Sequence, residues 1–112
     1  MTNACISFIK HLSSVNEKGF NDIRFDNSNR VVESNKIVTL LEFNLSSIKH
    51  NPCENTFKTH QIPNFFYFYK TILSNYKKNC VEYPLSFSEA YSILGSISNF
   101  NNHLLDLSKK IE

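Results

Sequence analysis

A chain of 112 residues supports one hydrophobic core and is too short for two, so residues 1–112 are expected to form a single domain. Twelve basic against ten acidic residues give a net charge of +2, short of the basic excess by which dedicated nucleic-acid binders neutralise phosphates. No uninterrupted apolar run approaches the roughly 18 residues of a membrane span.

The apolar content is unusual in kind. Ten Phe and five Tyr stand against two Ala and no Trp, so aromatic rings must supply much of the buried area. Ten of the twelve basic residues are Lys, and the scarcity of Arg argues against fork-type reading of phosphate or guanine. The Lys, Asn, Ile and Phe bias is that of an AT-rich genome such as a phage or plasmid. Three cysteines, Cys5, Cys53 and Cys80, make an odd and sparse set, which reads as reduced thiols in a cytoplasmic setting. At the N-terminus Lys10 and His11 interrupt the apolar residues, which fits neither a signal peptide nor a span.

In chain order, Thr2 or Asn3 caps a short helix that turns Cys5, Ile6, Phe8, Ile9 and Leu12 inward. Between Gly19 and Ser34, Ile23-Arg24-Phe25, then Asp26-Asn27-Ser28-Asn29, then Arg30-Val31-Val32-Glu33 read as strand, turn, strand. A short β-hairpin near residues 22–33 is therefore expected, with a surface loop as the alternative. A helix from Ser34 or Asn35 runs through Ile37, Leu40, Leu41, Leu45 and Ile48 to His50, where Asn51 and Pro52 stop it. A buried strand over residues 37–45 competes with it. Residues 51–63 read as a connecting loop.

Pro63 and Asn64 open a helix from Phe65 to about Lys78. Phe65, Phe68, Tyr69, Ile72 and Tyr76 fit one face, and the closing lysines suit a helix C-terminus. The final helix is the clearest element. Ser86 and Glu89 form an S-x-x-E capping box behind Pro84. Phe87, Ala90, Ile93, Ile97, Phe100, Leu104, Leu107 and Ile111 then recur every three or four residues, opposite Asn99, Asn102, Asp106 and Lys109. The expected fold is mainly α, a small bundle of about four helices; a small antiparallel sheet in an α+β arrangement is the alternative.

No pattern carries catalysis. His50 and Cys53 form an H-x-x-C pair with His60 and Cys80 beyond it, but a structural zinc site needs two close pairs. Cys53 with either histidine lacks an orienting third group, and Gly19 and Gly95 belong to no phosphate-cradling loop. The expectation is therefore a non-enzymatic protein with no metal and no cofactor.

What stands out is the run Phe65, Phe66, Tyr67, Phe68, Tyr69 followed by Lys70. On a helix such a run places rings all round the first turn, so some must face away from any single core. Phe66, Tyr67, Tyr69, Lys70, Lys77 and Lys78 are the expected partner-binding residues. A protein partner is the first expectation, as for an adaptor, an inhibitor or an immunity-type protein. The broad stripe of the last helix, with Tyr91 and Leu94 beside its main row, suits pairing with a second copy. The alternative is a nucleic-acid-binding regulator using Lys70, Lys77 and Lys78 with Tyr67 and Tyr76, which interleave rings and charge as base-stacking surfaces do.

Overall fold

The computed structural model describes residues 3–28, 32–49, 51–59, 66, 69–78 and 85–111, with 58, 59, 76–78 and 111 described by backbone alone. Among these residues there are five helices and no strand: α1 (Asn3–Asp22), α2 (Ser34–Lys49), α3 (Glu54–Thr59), α4 (Lys70–Lys78) and α5 (Phe87–Ile111). The mainly helical expectation holds, and the α+β alternative does not.

The three long helices pack on one another, each contributing one stripe. On α1 the buried row is Cys5, Ile9, Leu12 and Asn16, at steps of four, three and four. On α2 it is Ile37, Leu40, Leu41, Asn44 and Ser47, with Val38 beside it. On α5 it is Ala90, Ile93, Ile97, Phe100, Leu104 and Leu107. At about 1.5 Å per residue α5 is roughly 37 Å long, which accounts for most of the 45 Å long axis of the molecule.

The ends of the helices follow local chemistry. The Glu89 N–H donates to Ser86 Oγ at 3.1 Å and the Ser86 N–H to Glu89 Oε1 at 3.2 Å, so the capping box forms as read. Asn51 ends α2 with its side chain: Nδ2 donates to the carbonyls of Ser47 and Ile48, and Oδ1 accepts the Cys53 N–H at 2.8 Å. α1 is longer than the short helix expected, and at Gly19 it comes close to α2. A Cβ at Gly19 would stand 2.8 Å from both Leu40 methyls.

One expectation is corrected and two are met in part. In the segment before α2 no strand forms among the described residues, but Phe25 stands in a β-bridge and the Val32 N–H donates to the Arg24 carbonyl at 3.2 Å; residues 29–31 of the expected hairpin lie outside the described residues. Its turn chemistry is present, since Asp26 accepts the Ser28 N–H at 2.8 Å. The loop expected over 51–63 contains α3. Of the helix expected from Phe65 to about Lys78, Lys70–Lys78 forms α4; Phe65, Tyr67 and Phe68 lie outside the described residues, and ahead of α4 the Tyr69 N–H reaches the Phe66 carbonyl at 3.1 Å. A three-residue step puts Phe66 and Tyr69 on the same side, where both are buried.

A polar node sits inside this apolar interior. Asn16 and Asn44 exchange side-chain amide bonds at 3.0 and 2.8 Å. Asn16 also donates to Asn101 at 3.3 Å, and Asn44 to the Leu40 carbonyl at 2.8 Å. Both donors of each NH2 group are thus used, and α1, α2 and α5 are joined in one register. Asn16 and Asn44 have no exposed surface, so a slip of any helix by one residue would strand buried amides. Sequence reading missed this node. The signal is that each Asn continues its helix's apolar row, and the abundance of Asn in the chain masks it.

Candidate protein-contact face

The residues expected to meet a partner fall into separate places. Phe66 is fully buried, edge-on to Phe100 with ring centroids 5.3 Å apart. Tyr69 is buried too, and its hydroxyl lies 2.9 Å from the Ser92 carbonyl and 2.7 Å from Ser96 Oγ. Both rings belong to the interior because they fill the flank of α5, and this corrects the expectation that they face outward. Lys70 is exposed and lines a groove of about 440 Å³ between α2 and α4, together with Glu42, Leu45, Lys49 and Leu73. Tyr67 lies outside the described residues. Lys77 and Lys78 close α4, as Tyr76 does, but their side chains lie outside the description.

Another set of rings occupies the surface. Among the described residues the exposed large hydrophobics are Phe25 (40%), Val32 (55%), Phe87 (46%) and Tyr91 (67%). Phe25 stands edge-on to Phe87 with centroids 5.7 Å apart, and Phe87 leans on Tyr91 at 5.6 Å. Val32 is tied beside Phe25 by its bond to the Arg24 carbonyl. The three rings therefore form one contiguous apolar patch, of the kind that monomers seldom display without a use.

Phe87 was expected inside, at the head of the α5 stripe. A helical side chain leans towards the N-terminus, so a ring in the first turn covers the surface beyond the helix end rather than the core beneath it. There it meets Phe25 from the connection between α1 and α2. No helical periodicity reaches such a pair, because Phe25 lies outside the helices, in a β-bridge.

Beside the rings lies an open groove of about 310 Å³ lined by Phe20, Phe25, Tyr91, Leu94, Gly95 and Ser98. None of these residues is charged. Gly95 is exposed in mid-helix, and a Cβ there would meet nothing within 4 Å. Glycine in a helix interior costs about 1 kcal/mol relative to alanine, and nothing around Gly95 recovers it. At the start of α2, Lys36 Nζ lies 2.6 Å from Glu33, and hydrogen bonding and charge from Lys36, with Arg24 adding, hold the Glu33 carboxyl below the ordinary carboxylate range.

A third groove, about 360 Å³ between α1 and α2, has Val15, Leu40 and Phe43 on its floor and Lys18, Asp22 and Lys36 on its edge. Among the described residues no three His, Cys, Asp or Glu side chains gather as for a metal. Cys53 is disulfide-bonded to Cys5, so it offers neither a ligand nor a nucleophile, and the expectation of reduced thiols fails for this pair. His50, His60 and Cys80 lie outside the described residues. No described helix is long and apolar enough to cross a membrane. Comparison with family models, with curated proteins and with solved structures gives no match.

Proposed function

We propose that this protein is a small non-enzymatic binding module acting through protein contact, and that its contact surface is the Phe25–Phe87–Tyr91 face with the adjoining groove. The observation that carries this reading is that three of the four exposed large apolar side chains among the described residues, Phe25, Phe87 and Tyr91, stand in contact on one face. Aromatic anchors beside a pocket are the usual centre of binding energy in such surfaces.

A second copy of the chain is the partner this face fits first. Protruding rings and an adjoining groove lie side by side, as an isologous two-fold contact requires. The groove and the rings carry no charge, so two copies meet without like-charge repulsion. Gly95 on the groove floor admits a close approach, which gives a costly glycine a purpose.

The nucleic-acid reading has less support. Of the residues it uses, Lys70 is exposed, while Tyr67 and the side chains of Tyr76, Lys77 and Lys78 lie outside the described residues.

Sedimentation over a range of concentrations tests the proposal. The native chain is expected to shift from monomer to dimer as concentration rises. The Phe87→Ser/Tyr91→Ser variant should stay monomeric while keeping its helical content, because exposed positions contribute within about 0.5 kcal/mol to folding. A native chain that remains monomeric throughout, or a variant that dimerises equally well, overturns it.

A further inference from the structure

The Cys5–Cys53 bond makes the fold a covalent ring. It joins the first turn of α1 to the residue just before α3, 48 positions apart, so the loop it closes contains the rest of α1 and all of α2. Neither half-cystine has any exposed surface. The site is prepared by the chain itself: Asn51 holds the Ser47 carbonyl with its amide and the Cys53 N–H with its oxygen, and the Cys53 carbonyl accepts the first bond of α3 from the Phe57 N–H at 2.8 Å.

α3 needs this bond. Six residues are far below the length at which a helix holds by itself. Among its described side chains Phe57 alone is buried, with Cys53 buried at its threshold. The bond is thus the covalent anchor of α3 on α1.

Burial also decides how the bond behaves. Thiol–disulfide exchange requires a thiolate to reach a sulfur atom, and the packed interior leaves no path to either one. A bond so placed forms while the chain is still folding, and it persists once the core has closed. We infer that Cys5–Cys53 is a permanent structural staple rather than a redox switch, and that the chain folds in an oxidising compartment instead of the cytoplasm expected from its cysteine number. The chemistry balances with a disulfide oxidant. One cysteine thiolate attacks it, giving a mixed disulfide and one released thiol. The second cysteine thiolate then displaces the other half, so two protein thiols become one disulfide and the oxidant leaves as two thiols.

The test counts thiols. Cells of the native source are quenched in acid, denatured, and labelled with a maleimide polyethylene glycol that retards the chain on a gel. One label per chain is expected, on Cys80, rising to three after reduction. The purified native protein in dithiothreitol should keep its single label for hours, and take three within minutes once denaturant is added. The Cys5→Ala/Cys53→Ala variant should melt about 10–15 °C lower, since closing a loop of this size restrains the unfolded chain strongly. Three labels before reduction overturn the inference. So does rapid reduction of the native protein, or a double variant that melts with the native chain.

Discussion

Two ring clusters of similar geometry lie on opposite sides of the solvent boundary. Phe66 and Phe100 meet edge-on at 5.3 Å inside the molecule, with Tyr69 buried beside them; Phe25, Phe87 and Tyr91 meet at 5.7 and 5.6 Å on its surface. The difference lies in what surrounds them. The inner rings are buried against the flank of α5. The outer rings sit at the head of α5, where a first-turn side chain leans past the helix end and nothing described covers it. Ring richness alone therefore says little about where an interface is. Position relative to the helix ends decides it.

Substitutions can break this contrast, beginning with the interior. Phe100→Ala is expected to lose about 3–5 kcal/mol of stability in chemical denaturation, since it opens a cavity and removes the edge-on contact to Phe66. A loss below about 1 kcal/mol would mean that the inner cluster is not the core described. Asn44→Ala is expected to cost about 2–4 kcal/mol, because it leaves Asn16 with an unanswered buried donor and acceptor. The effect should come with a less cooperative unfolding transition, as helix register loses its determinant. Gly95→Ala is the smallest change and has the opposite sign. It should raise stability by about 1 kcal/mol while weakening self-association, because the added methyl enters the groove and not the core. If stability and association rise together, Gly95 has no role in contact.

Much of the fold was legible because it rests on periodicity and end chemistry. Ser86 and Glu89 announced the start of α5, and its apolar row was read almost residue for residue. Ser34 opened α2, and Asn51 stopped it through side-chain bonds that its residue type suggests. The rest depended on tertiary context. Periodicity put Phe65, Phe68 and Tyr69 on one face and left Phe66 off it, yet Phe66 and Tyr69 are both buried against α5. An odd cysteine number argued for free thiols, but pairing depends on which two the fold brings together. The contact face was half visible. Tyr91 and Leu94 stood out beside the main row of α5, whereas Phe25 comes from an irregular connection and Phe87 looked like the first residue of the core stripe.

The outer rings are the centre of this account, and nuclear magnetic resonance of the ring protons tests them most directly. As concentration rises, the signals of Phe25, Phe87 and Tyr91 should move together towards a saturating bound value while those of Phe66 and Phe100 stay in place. Outer ring signals that hold still at every concentration, or inner ring signals that move instead, would contradict it.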